Sequence, residues 1–119
     1  MAYFKDSEFQ CKCGNCPVRP PDAHLREALE NLRGLYGKPI YINSGWRCAT
    51  YNGKVGGVGD SAHLSGKAAD IFCTSSADRF QLISLAVHQF RRIGIGSTFI
   101  HLDVDETKDQ GVMWLYGNH

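Results

Sequence analysis

Apolar residues recur at helical spacing from Leu25 onward: Leu25, Ala28, Leu29, Leu32, Leu35 and Tyr36 fall three or four positions apart within "PDAHLREALENLRGLYGKP". Pro21 and Asp22 suit the start of that helix, and Gly37 followed by Pro39 suits its end. "PIYINS" then puts Ile40 and Ile42 on one side of a short strand, which delivers Ser44, Gly45, Trp46 and Arg47 at its end. "YNGKVGGVGDS" holds four glycines and is expected to be a loop. Ala68 to Cys73 is a short apolar run that predicts a buried strand, with Gly66 and its flanking serines marking the turn before it. "SSADRFQLISLAVHQFRRIG" returns to helical spacing through Phe80, Ile83, Val87 and Phe90, with Ser76 as cap and Gly94 as terminator. "TFIHLDVD" alternates with period two, so Phe99, His101, Asp103 and Asp105 share one face and Ile100, Leu102 and Val104 the other. "GVMWLY" supplies a last strand. Residues 1–21, with their turn formers and "RPP", are expected to be an irregular arm. This order of elements predicts an α+β fold, a small, mainly antiparallel sheet with helices packed on it.

Composition narrows the class without changing that picture. At 119 residues, 43% hydrophobic and 21% charged, the chain suits one globular core, so residues 1–119 are expected to form a single domain. A formal charge of +1 without a clustered basic face argues against a nucleic-acid partner. No apolar stretch approaches a membrane span, and "MAYFKDSEFQ" lacks the basic-then-apolar order of a signal peptide. The expectation is a monomer made in the cytoplasm. Of the five cysteines, three lie within "CKCGNC". Without a secretory signal thiols are the default, and Cys11, Cys13 and Cys16 with Cys48 are either a structural zinc site with four sulfur ligands or ordinary thiols in a glycine-containing loop. Cys73, at the end of a buried strand, suits a small core residue.

The stretch "SAHLSGKAADI" carries the chemistry. In a single helix His63 and Asp70 would stand roughly 10 Å apart, too far to share one ion with bonds of about 2 Å. A turn followed by a strand can instead aim both side chains at one point, and the polar face of "TFIHLDVD" offers His101 as a third ligand. Two imidazoles and a carboxylate with a fourth position left to water make the donor set of a catalytic zinc. Water held there ionises near neutral pH and can attack a polarised carbonyl.

Together, "INSGWRCATYNGKVGGVGDS", "SAHLSGKAADI" and "FIHLDV" resemble the zinc D-Ala-D-Ala metallopeptidases, which share a fold with the hedgehog signalling domain and include bacterial cell-wall carboxypeptidases and phage endolysins. The likeness runs from about Ile40 to Tyr116. The S-x-H-x-x-G-x-A-x-D pattern is met by Ser61, His63, Gly66, Ala68 and Asp70. The resemblance implies one catalytic zinc held by His63, Asp70 and His101, a peptidoglycan peptide as substrate, and Arg47 of "SGWR" as a substrate-holding guanidinium rather than a surface ion pair. Ser61 is either a hydrogen-bond donor to the substrate or site, or a turn-stabilising serine.

Many relatives carry an acid or a histidine two or three positions before the second zinc histidine, where Thr98 and Phe99 stand here. Asp103, two positions after His101, is either the catalytic general base or a carboxylate that orients a zinc ligand. The implied activity is cleavage of a stem peptide or crosslink, by a carboxypeptidase or an endopeptidase of endolysin type. The cell wall is its place of action, reached by release at lysis or on a virion. The alternative is a hedgehog-like binding module that keeps zinc and has lost turnover; a weaker one makes "CKCGNC" a redox or zinc-knuckle centre. His24 and His88 suit surface or packing roles, and His119, at the chain end, is not expected to be a ligand. Trp46, Trp114 and Tyr116 suit either a peptide groove or core positions.

Overall fold

The computed structural model describes residues 2–117. Helix α1 spans Ala23–Tyr36, and its start is fixed by the Asp22 carboxylate, which accepts from the backbone N–H of His24 at 2.9 Å and of Leu25 at 3.2 Å. Gly37 ends it at φ 75°, a left-handed conformation that favours glycine. Leu25, Ala28, Leu29, Leu32 and Tyr36 form its buried face, as the spacing predicts. Leu35 does not join them and is 58% exposed.

The remaining elements are a 3-10 turn at Asp6–Phe9 within the otherwise irregular arm, β1 (Ile42–Ser44), α2 (Ala49–Lys54), a 3-10 turn at Ala62–Ser65, β2 (Ala68–Phe72), α3 (Ser76–Ala86), β3 (Arg92–Ile95), β4 (Phe99–Asp103) and β5 (Val112–Leu115). They form one sheet in the order β1-β2-β4-β3-β5, in which every neighbouring pair is antiparallel except β3 and β5. The expected α+β class, with its mainly antiparallel sheet, is the observed one. No helix among the described residues is long and apolar enough to cross a membrane.

Four sequence expectations are corrected. The second helix was expected to reach Gly94, but α3 ends at Ala86, and Arg92–Ile95 form a strand. After Ala86 the chain tightens into turns, with His88 N–H donating to Leu85 O and Gln89 N–H to Ala86 O, and "RIGI" then alternates as a strand does. The buried residues of α3 are Leu82 and Ala86, whereas Phe80 is 77% exposed. Its cap is Ser75 and not Ser76: the Ser75 hydroxyl accepts from the Asp78 N–H at 3.2 Å. The glycine-rich loop, too, is shorter than expected, because residues up to Lys54 belong to α2.

Helices α1 and α3 pack together, and their buried faces join Ala69, Ile71, Ile93, Ile100 and Leu102 from one face of the sheet in a single core. The N-terminal arm contributes Phe4 and Phe9 to that core. It is pinned to α1 by Glu30, which accepts from Tyr3 N–H at 2.6 Å and Phe4 N–H at 3.2 Å. The other sheet face carries the site. Because side chains alternate along each strand, register decides what meets there. Ser44 pairs with Asp70, Asp70 with His101, His101 with Gly94, and Gly94 with Trp114, so the five strands place one position each in a single row. The adjacent row pairs Ala68 with Asp103 and Asp103 with Arg92.

Candidate metal centre

His63 sits on the 3-10 turn before β2, Asp70 in β2 and His101 in β4. All three are buried, and each offers one ligand atom within 4.8 Å of the other two. His63 Nε2 stands 3.2 Å from Asp70 Oδ1, and His101 Nδ1 stands 2.9 Å from the same oxygen. Two atoms each about 2.0–2.1 Å from one ion at a tetrahedral angle are roughly 3.3 Å apart, so this spacing fits a shared zinc.

Each ligand is held from behind. The far ring nitrogen of His63, Nδ1, donates to Gly45 O at 2.7 Å, which leaves Nε2 bare toward Asp70. For His101 the roles reverse: Nε2 donates to Asp103 Oδ2 at 2.7 Å and Nδ1 faces Asp70. The outer oxygen of Asp70, Oδ2, accepts from Arg47 Nη2 at 3.2 Å. Burial opposes ionisation of Asp70, but without an ion between them the protonated imidazoles of His101 and His63 donate to it, which outweighs burial and holds the carboxyl well below the usual carboxylate range. Burial likewise opposes charge on His101, and the Asp103 and Asp70 carboxylates reverse that and raise its pKa.

Asp103 is 1% exposed. Besides His101 Nε2, it accepts from Arg92 Nε at 2.8 Å and from the Asp105 backbone N–H at 3.1 Å, both at Oδ1. Arg92 is fixed in turn by Asp109 O at 2.8 Å and lies over the Trp114 ring. Sequence reasoning missed Arg92 because it missed β3; the alternation of "RIGI" was the available signal.

Arg47 donates from Nε to Ser44 Oγ at 3.0 Å and from Nη1 to Asn52 Oδ1 at 3.2 Å, besides its bond to Asp70. Among the described residues this leaves one N–H on each terminal nitrogen for a ligand. Asn52, also missed, donates from Nδ2 to Val58 O at 2.7 Å and so ties Arg47 to the glycine loop. Ser61 caps the turn that carries His63, its Oγ accepting from His63 N–H at 3.2 Å.

Arg47, Ser61, His63, Asp70, His101 and Asp103 line an open cleft of about 460 Å³, walled by Val55–Val58 on one side and by Phe99, Trp114 and Tyr116 on another. Gly94 makes that aromatic wall possible: a Cβ there would stand 2.6 Å from Tyr116 Cε2 and 2.7 Å from Trp114 Nε1. Trp46 does not line the cleft and packs under the Arg19 guanidinium. His24 and His88 are exposed, and Cys73 is buried. His119 lies outside the described residues.

A family model for Peptidase M15 matches residues 2–103. The chain belongs to the Peptidase M15 family. The zinc D-Ala-D-Ala carboxypeptidase of Streptomyces albus G is 46% identical over 44 residues, which are 36% of this chain and 17% of that protein. The chain therefore covers far less than two thirds of that relative's length. The family and the donor set of His63, Asp70 and His101 are consistent with one zinc ion.

A second cluster of potential ligands lies apart in sequence. Cys11, Cys13, Cys16 and Cys48 bring their sulfurs within 4.8 Å of one another. The Asn15 N–H and the hydrogen bond with Cys16 lower the Cys13 thiol to about 6, whereas the hydrogen bond with Cys13 and then burial push the Cys16 thiol up to about 12.

Proposed function

We propose that the chain is a zinc metallopeptidase that hydrolyses a peptide bond in peptidoglycan stem peptides or crosslinks, residues 1–119 forming one peptidase domain. The observation that carries this reading is the convergence of His63, Asp70 and His101, each braced by its own hydrogen bond, on the floor of a cleft open to solvent. When bound, the ion supplies Lewis acidity, lowering the pKa of water and polarising a carbonyl.

The protein's own residues do the rest. Asp70 stays ionised across the working pH range, and Gly45 and Asp103 hold the two imidazoles in the tautomers that leave one bare nitrogen each toward the ion. Lys108, on the same cleft, is already paired with Asp105, so it falls to Arg47 to offer spare N–H groups and positive charge to a substrate carbonyl or carboxylate. That charge suits a peptide bearing a free carboxylate, as stem peptides do. Ser61 orients the His63 turn and presents its hydroxyl to the cleft. Of the two roles open to Asp103, the geometry favours positioning: its oxygens are engaged by His101, Arg92 and the Asp105 N–H.

On this reading the protein is a monomer acting at the cell wall, as an endolysin released at lysis or as part of a virion. The test is mass spectrometry of peptidoglycan digested by zinc-loaded protein. New peptide termini that vanish in His63→Ala are expected, and loss of a terminal D-Ala separates carboxypeptidase from endopeptidase action. The binding-module reading rests on Thr98 and Phe99 standing where relatives carry an acid or a histidine. Zinc-loaded protein that binds muropeptides and leaves every one intact would establish it and refute ours.

A further inference from the structure

The arm does more than cover the core. After Phe9 it folds through Cys11, Cys13 and Cys16 and brings all three against Cys48, which follows Arg47 directly. Gly14, at φ 86°, provides the left-handed turn inside "CKCGNC". Three backbone N–H groups point at sulfur: Cys48 N–H at Cys11 Sγ (3.3 Å), Asn15 N–H at Cys13 Sγ (3.3 Å) and Tyr51 N–H at Cys48 Sγ (3.4 Å). Such donors stabilise sulfur as thiolate, the form that binds metal. All five cysteines are free thiols. Four sulfurs each about 2.3 Å from a central ion stand roughly 3.8 Å apart, within the spread of this cluster.

We propose that Cys11, Cys13, Cys16 and Cys48 bind a second zinc ion in a closed four-sulfur site whose role is structural. Four protein ligands leave no position for water or substrate, in contrast to the three-ligand centre on the sheet. Binding displaces the remaining thiol protons to solvent, and no electron is transferred.

The position of the cluster gives it a task. Trp46 N–H donates to Phe9 O at 2.9 Å, and Gly45 lies so close to the arm that a Cβ on it would stand 2.7 Å from Phe9 Cα. Gly45 O is the acceptor that sets the His63 ring, and Arg47 touches Asp70. The turn from Gly45 to Cys48 is thus gripped by Phe9 at one end and by the sulfur cluster at the other. The second ion closes that grip and so ties the turn that carries Gly45 and Arg47 to the arm.

The test uses the full chain, purified without chelator. Two zinc ions per chain are expected, one remaining in His63→Ala and one in the Cys13→Ser, Cys16→Ser double variant. After exchange into cobalt, wild type and His63→Ala should both show intense thiolate-to-cobalt charge-transfer absorption, absent from the double variant. Thiol reagent should titrate all five cysteines after denaturation with chelator. One zinc per chain in wild type with no thiolate band in the cobalt form would overturn the proposal, as would disulfides among the four. If the double variant does not fold, wild type and His63→Ala still decide it. None of these readouts depends on peptidase activity.

Discussion

Replacing Asp103 by asparagine keeps the size of a fully buried side chain and removes its charge. In wild type Asp103 accepts from His101 Nε2 at 2.7 Å and from Arg92 Nε at 2.8 Å. An amide has one accepting oxygen, so its NH₂ must face either the His101 N–H or the Arg92 N–H, donor against donor. Loss of a carboxylate that orients a metal-bound histidine costs about 10–100-fold in metal affinity, about 1.4–2.8 kcal/mol. Leaving the guanidinium without its carboxylate costs up to about 3–5 kcal/mol of fold stability, less here because Arg92 keeps its bond to Asp109 O. Zinc affinity, measured by competition with a chromophoric chelator, should therefore fall about 10–100-fold. Turnover at saturating zinc should fall much less, with its pH profile unchanged in shape. Unchanged zinc affinity with turnover lost by orders of magnitude, together with disappearance of the acidic limb of the profile, would refute this and make Asp103 the proton acceptor.

Four further outcomes are expected. The raised pKa of His101 in zinc-free protein means that zinc must expel a proton, so affinity should climb about tenfold per pH unit until that pKa is passed; calorimetry in buffers of different ionisation enthalpy counts the proton, and pH-independent affinity would count against it. Conversely, the stabilisation that His101 gives the zinc-free fold is fully present below the ordinary histidine pKa of about 6.5 and fades as pH rises through the raised one, so the Tm of the zinc-free protein should fall over that window. Gly94→Ala should displace Trp114 and Tyr116, shifting tryptophan fluorescence and raising KM, at a stability cost of about 1–3 kcal/mol; an unaltered emission spectrum and KM would show the wall to be looser than described. Leu32→Ala in the fully buried face of α1 should cost about 2–5 kcal/mol by denaturant unfolding.

Much of this was legible in the sequence where one physical signal acted alone. The α1 stripe and the β4 alternation each have a single period, and the three ligands stand on a turn and strands that the pattern identifies. Strand β3 was hidden because Phe90 and Ile93 also fit a helical stripe continued from α3, and only tertiary pairing with β4 and β5 decides between the two. Arg92 went with it, and so did the ion pair that engages Asp103. Which ring nitrogen of His101 meets Asp70 is a matter of side-chain direction, on which residue spacing is silent. The sulfur cluster was visible as a set of thiols, but the meeting of Cys48 with the arm depends on how the chain folds back.

The row from Ser44 through Asp70, His101 and Gly94 to Trp114 draws one residue from every strand. Sliding β4 by a single residue would thrust His101 and Asp103 among the leucines and isoleucines under the helices, and turn Ile100 and Leu102 out to water. Misalignment would thus be penalised on both sides of the sheet at once, by stranded polar groups beneath it and lost apolar burial above. The chemical centre doubles as an alignment pin, helping to keep a small sheet of short strands in one pairing before any ion arrives.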